Sequence, residues 1–329
     1  MIIAARFRSI HGVRTHVVKR LCRVWLAALL SFSVLALGGC SALRIGYSQA
    51  PDLMYWYLDG YLDFNASQTP KVREALTQWF AWHRRTQLPD YAAALVRAQA
   101  DVRADLAPAR ACEWQSELLT RGRTAFDRFA PAAADFIVSV TPQQVEYLER
   151  RLAKANLKFT DEYLQGNPRK RAEAALRRTI DRLETLYGSL SAAQRAQLAD
   201  GLARSPFDAD SWFAERREQQ LEALALLRRF GTDSGAATER TASAAEAAQT
   251  TQTALRTYVA HIERSPREPY RRYAARLREF NCEFAAQFHN ATSVTQRRAA
   301  ARKLAGWEGD ARELAAAGLP GNGLPEAGR

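Results

Sequence analysis

The chain has 329 residues, 47% of them hydrophobic, enough for one large or two modest domains with a real core. Lysine and arginine outnumber aspartate and glutamate by 47 to 35, a formal net charge of +12 that is weighted to the N-terminus. Four cysteines and five histidines, none clustered, give no ligand set for a dedicated metal ion and imply no cofactor.

In chain order, Arg6, Arg8, Arg14, Lys19, Arg20 and Arg23 come first with no acidic residue among them, and Val24 to Leu37 form an apolar run. At about 14 residues that run is too short for a transmembrane helix. Leu37, Gly38 and Gly39 ahead of Cys40 resemble the lipobox of a bacterial lipoprotein signal peptide, the recognition site of lipoprotein signal peptidase. That resemblance implies cleavage after residue 39 and acylation of Cys40, with the lipid bilayer as partner. An ordinary secretory signal peptide that happens to end beside a cysteine is the alternative. Ser41, standing where an aspartate would signal inner-membrane retention, implies an outer-membrane lipoprotein that faces the periplasm. Acyl chains stabilise anchoring by about 0.8 kcal/mol per buried methylene, so three of them hold permanently. Loss of residues 1–39 removes six positive charges and no negative ones, taking +12 down to +6. A balance of +6 is compatible with envelope proteins or an anionic glycan as partners, and nucleic acid is not expected outside the cytoplasm.

Residues 40–51 read as a lipidated tether and residues 52–317 as an all-helical periplasmic domain. The spacing predicts helices carrying Val72, Leu76, Trp79, Phe80 and His83; then Tyr91, Leu95, Ala98 and Val102; then Cys112, Leu119, Phe126, Phe129, Ala133 and Phe136. Further stripes are Val145, Leu148, Leu152, Ala155, Phe159 and Tyr163; Leu176, Ile180, Leu183 and Tyr187; and Tyr273, Leu277, Phe280, Phe284 and Phe288. Pro70, Pro89, Pro142 and Pro168 sit where first-turn prolines belong, and Gly166, Gly188 and Gly231 sit where helices stop. The punctuation gives an all-α antiparallel bundle of about ten helices. Gly231 to Ser243 reads as a mobile connection, and residues 318–329, with two prolines and four glycines, as a disordered tail.

Capping-box patterns begin at Thr141 with Gln144, Ser191 with Gln194, Ser243 with Glu246 and Ser293 with Gln296. Their spacing of about 50 residues fits duplicated helical hairpins, and it equally fits unrelated helices of about 22 residues joined by short turns. Cys112 and Cys282 remain once Cys22 leaves with the leader and Cys40 takes lipid. An even pair in an oxidising compartment suggests a disulfide, with two separate buried thiols as the alternative.

Trp56 to Phe64, then Trp82, His83, Arg84 and Arg85 through Leu88, Pro89, Asp90 and Tyr91, then Asn281, Cys282, His289, Asn290, Gln296 and Arg297 together resemble an uncharacterised family of proteobacterial lipoproteins, domain of unknown function 6279. No activity follows from it. The Thr141 and Ser191 caps also resemble, more distantly, the Leu-Thr-x-x-Gln motif of small periplasmic stress chaperones, which implies a helical cradle for unfolded or envelope proteins.

On a helical wheel Asp52, Asp59 and Asp63 fall within about 40° of one another. A turn centred near Ser67 would bring Asp52 to His83 and Asp63 to Lys71. Either this is an ion pair that fixes helix register, or Asp59, Asp63 and His83 are acid/base groups of an envelope hydrolase or lyase, with Arg84 or Arg85 holding an anionic substrate. The arginine-rich stretch Arg169 to Arg182 is interleaved with Glu173 and Asp181 and reads as a solvated helix face, with an anion-binding patch as the alternative. No activated serine, reactive thiol or glycine-rich phosphate loop accompanies the aspartates. The sequence therefore favours a non-enzymatic lipoprotein acting by binding, as scaffold, assembly factor or chaperone-like module. The aromatic run Tyr55 to Phe64 reads first as core packing and second as a membrane-interface belt.

Overall fold

The computed structural model describes residues 42–164, 166–231 and 244–317. Leu37, Gly38, Gly39, Cys40, Ser243, the connection 232–243 and the tail 318–329 lie outside the described residues. Among the described residues the chain is all-α, without a strand. It divides after Ser48. The first unit contributes α1 (Ala42–Ser48). The second begins with α2 (Ala50–Leu62) and α3 (Thr69–Trp82), and a π-helical turn, His83–Gln87, carries α3 into α4 (Leu88–Asp101). There follow α5 (Pro108–Ile137), α6 (Pro142–Tyr163), α7 (Pro168–Tyr187) and α8 (Ala192–Arg204). The remainder is α9 (Ala209–Phe230), α10 (Ala244–Glu263), α11 (Glu268–Asn290) and α12 (Val294–Ala316).

Local chemistry sets these boundaries. Prolines occupy the first turn of α2 to α7 and of α11, where no helical N–H partner is lost. Pro89 also accounts for the π turn. It has no N–H to offer the Arg85 carbonyl, and its ring would crowd that oxygen. The backbone widens instead, and the Leu88 N–H bonds to the His83 carbonyl, five residues back. Gly188 stops α7 with φ 77°, a left-handed conformation that favours glycine. Gly201 on α8 permits a close crossing with α11, since a Cβ there would lie 2.1 Å from the Phe284 ring.

Among the described residues the core has three buried nuclei. Tyr55, Val72 and Leu76 join α2 to α3, with Phe129 and Phe136 of α5 against them. Ile137, Val140, Val145, Leu148, Leu224, Leu227 and Leu255 join α5, α6, α9 and α10. Ile180, Tyr187, Leu190, Leu198, Phe288 and Ala300 join α7, α8, α11 and α12. The thirty-residue α5 packs on both α10 and α11, and Cys112 of α5 is bonded to Cys282 of α11 with 5.3 Å between their Cα atoms.

The capping boxes at Thr141, Ser191 and Ser293 form as expected, each hydroxyl accepting from the third helical N–H while that residue's glutamine accepts from the cap N–H. Each glutamine has a second, non-local use. Gln194 and Gln296 exchange amide hydrogen bonds of 2.8 and 3.0 Å, and Gln144 does the same with Gln68 at 2.8 and 3.2 Å. Gln68 belongs to a cap that the sequence reading overlooked: the Asn65 side chain accepts from the Gln68 N–H, and the Gln68 amide oxygen accepts from the Asn65 N–H. Two pairs of helix starts are thus joined by reciprocal glutamine amides, Asn65 with Thr141 and Ser191 with Ser293. The remaining Gln144 amide hydrogen is shared between the Leu62 and Asp63 carbonyls, which satisfies the end of α2.

Gln144→Ala removes half of one cap and takes the side-chain donor from the Leu62 and Asp63 carbonyls, while the Gln68 amide keeps Asn65 and Ser139 as partners. A loss of about 1–2 kcal/mol is expected, from the cap and the lost hydrogen bonds together. Denaturant unfolding checks it, and an exposed glutamine such as Gln78 changed to alanine provides the comparison.

Candidate functional site

The sequence-derived aspartate and histidine set does not assemble as expected. Asp52 is exposed and pairs with Arg73 at 2.7 Å, not with His83. The observed register pairs Asp52 with a residue ten positions ahead of His83, about 15 Å along a helix, so the two helices do not face each other about Ser67. Asp59 accepts from the Phe64 N–H at 2.9 Å and closes the end of α2. Asp63 is the exposed left-handed residue that ends that helix, at φ 49°. Arg84 and Arg85 lie on the π turn, Arg84 half-buried and Arg85 exposed. His83 is 8% exposed and sits among aromatic rings, stacked on Trp79 at 4.9 Å and edge-on to Tyr91 at 5.3 Å. Burial lowers its pKa below the usual histidine range, so the ring is neutral near pH 7.

Tyr91 leads from that aromatic cluster to an apolar concavity, a cavity of about 600 Å³ between α4, α5, α7 and α12. Its walls are aliphatic and aromatic: Ala94, Leu95, Ala98 and Val102 of α4, Leu118 of α5, Leu186 of α7, and Leu304 of α12. Small residues on α4 leave the space. Elsewhere α4 and α12 press together, with Ala92 on one and Ala301 on the other buried. Trp114 and Trp307 also line the cavity, and Leu118 stands 67% exposed.

Polar groups around this cavity are already engaged. Arg97 and Arg121 both donate to Glu117, at 2.5 and 2.7 Å. Hydrogen bonds from Arg121 and then Arg97 hold the Glu117 carboxyl below its ordinary pKa. Asp101 accepts from the Trp114 indole N–H and from Arg110, each at 2.8 Å, which fixes the Trp114 ring. Tyr187 OH and His289 Nδ1 lie 2.8 Å apart, and His289 Nε2 lies 2.8 Å from the Ala104 carbonyl. A carbonyl only accepts, so Nε2 carries the proton in the neutral ring and Tyr187 donates to Nδ1. Burial pushes the Tyr187 hydroxyl up to about 12, with Arg297 pulling the other way, so it remains a donor at neutral pH.

The segment that ends α11 also holds the loop beside the cavity. His289 donates to the Ala104 carbonyl, Arg297 pairs with Asp105 at 2.6 Å, and Asn290 exchanges hydrogen bonds with both backbone groups of Leu106. Three successive loop residues are therefore fixed by residues 289–297. The sequence reading named His289, Asn290 and Arg297 as family-like without a role. It did not find Trp114 or Trp307 and gave Tyr187 only a place on a helical stripe, although the α4 stripe Tyr91, Leu95, Ala98 and Val102 forms one wall.

Among the described residues no group of three or more His, Cys, Asp or Glu is placed to hold a metal ion, and no helix is long and apolar enough to cross a membrane. Among the described residues, fold and site together define an all-helical protein with a ligand-sized apolar concavity between its helices. The chain belongs to the family of unknown function DUF6279, whose pattern matches residues 60–239. No curated protein and no solved structure matches it.

Proposed function

We propose that this is a lipid-anchored protein of the outer membrane, facing the periplasm, that acts by binding the apolar part of an envelope molecule in the α4, α5, α7 and α12 cavity. The observation that carries this is the cavity itself: about 600 Å³ walled by aliphatic and aromatic side chains, with the neighbouring charges already paired. That volume falls in the range of small-molecule sites, which are mostly apolar with a few oriented polar groups. An apolar group entering it leaves water without displacing an ion pair, so its burial is favourable by about 25 cal/mol per Å². The lipobox resemblance at Leu37, Gly38, Gly39 and Cys40 supplies the location. A scaffold, assembly or chaperone-like role fits the same chemistry, because each needs a site that accepts apolar surface without ATP.

Organic extraction of the protein purified from its native membrane, followed by mass spectrometry, tests the binding role. A single class of apolar or amphiphilic molecule present in near-equal amount to protein is expected. An extract containing only the phospholipid mixture of the surrounding membrane would count against a cavity ligand.

A further inference from the structure

From the outward face of α2 we infer a second contact with lipid: Leu53, Trp56 and Tyr57 seat the folded domain on the bilayer surface in which Cys40 is anchored. The inference rests on the anchoring proposed above. At 100° per residue, Leu53, Trp56 and Tyr57 span about 100° of the helix, on the side opposite Tyr55, Leu58 and Leu62. The inner side is accounted for, with Tyr55 buried and Leu58 and Leu62 packed against core nuclei. The outer side is not. Trp56 is 69% exposed, Tyr57 63% and Leu53 61%, with Met54 beside them at 40%. A helix apolar on both sides is normally enclosed, and a tryptophan left this open asks for a partner.

Two observations select lipid as that partner. Trp and Tyr together are the side chains that settle at the headgroup level, where a ring has an apolar body and a polar edge. The tether is also short. Thirteen residues separate Cys40 from Leu53, which even fully extended reach only about 45 Å, so an acylated Cys40 keeps this face within about 45 Å of a bilayer. The only acidic side chain in the first turn of α2, Asp52, is neutralised by Arg73 and does not oppose approach to headgroups. α1, taken by itself, likewise exposes Leu43 and Ile45. An interfacial helix of this kind sinks its apolar face by about 5–10 Å.

The test uses the full processed chain reconstituted in phosphatidylethanolamine and phosphatidylglycerol vesicles containing lipids brominated near the headgroup end of their chains. Bromine should quench part of the tryptophan emission, and Trp56→Phe should remove that quenched part while far-UV dichroism stays unchanged. Equal quenching in wild type and Trp56→Phe overturns the seat. So does a dimer in sedimentation that Trp56→Asp dissociates, since a second copy would then be the occupant. Palmitate labelling of Cys40, lost in Cys40→Ser, reports the anchor separately. A labelled chain with unquenched Trp56 removes the seat and keeps the anchor, whereas an unlabelled chain removes the anchor.

Discussion

Replacing Cys112 and Cys282 together by alanine is expected to lower the melting temperature by roughly 10 °C or more. The bond closes a separation of 170 residues, and in the chain-entropy treatment a loop that long stabilises by about 5 kcal/mol. Structure adds to that figure. Cys112 lies near the start of the thirty-residue helix α5, and Cys282 lies 5% exposed in the middle of α11, so the crosslink ties two helices that also border the loop fixed by His289 and Asn290. Thermal unfolding followed by dichroism, with and without reductant, measures the effect. A double variant that melts with the oxidised wild type would show that the two cysteines do not share a stabilising bond.

Arg267→Ala should cost about 3–5 kcal/mol, because it leaves the Glu215 carboxylate buried without its counter-ion. Glu215 has a side chain only 3% exposed, and Arg267 donates to both of its oxygens at 2.7 Å while a third N–H reaches Glu222 at 2.8 Å. Burial raises the Glu215 pKa, but hydrogen bonds from Arg267 and Ser265 outweigh it and hold the carboxyl below its ordinary value. A depressed carboxyl stabilises the fold above the unfolded-state pKa of about 4.3, and that contribution drains away as pH falls through the lower folded value. Denaturant unfolding between pH 7 and pH 3 should therefore show wild type losing more stability on acidification than Arg267→Ala does. Parallel pH profiles for the two proteins would deny Glu215 and Arg267 this coupling.

Local chemistry made much of the helical frame legible. The first-turn prolines at residues 70, 89, 142 and 168 and the caps at Thr141, Ser191 and Ser293 are signals read within four residues. What lay beyond the sequence was the partner of each local signal. The capping glutamines announce a helix start, yet nothing within four residues of Gln144 says that its amide will meet Gln68. The turn after α2 shows the same limit. Asn65 and Gln68 carry the capping pattern, but centring the turn at Ser67 shifted the facing register and put Asp52 against the wrong residue. His83 falls on an apolar stripe, which correctly places it inside. The stripe is silent on what lies beside the ring, and Trp79, Trp82 and Tyr91 are among its neighbours. The cavity was least legible of all, since its walls come from helices as far apart as α4 and α12 and it exists where Ala94 and Ala98 fail to fill space.

Whether that cavity takes an apolar ligand is decided most directly by titrating the folded protein with an uncharged naphthylamine fluorophore, wild type beside Ala98→Phe. A phenyl ring at position 98 occupies the wall of the cavity and leaves the Tyr187, His289 and Glu117 hydrogen bonds in place. The predicted result is saturable binding of one probe per wild-type chain and at least tenfold weaker binding to Ala98→Phe, a difference of about 1.4 kcal/mol, at unchanged helicity and melting temperature. Equal affinity for the two proteins would contradict the assignment of the α4, α5, α7 and α12 cavity as the binding site.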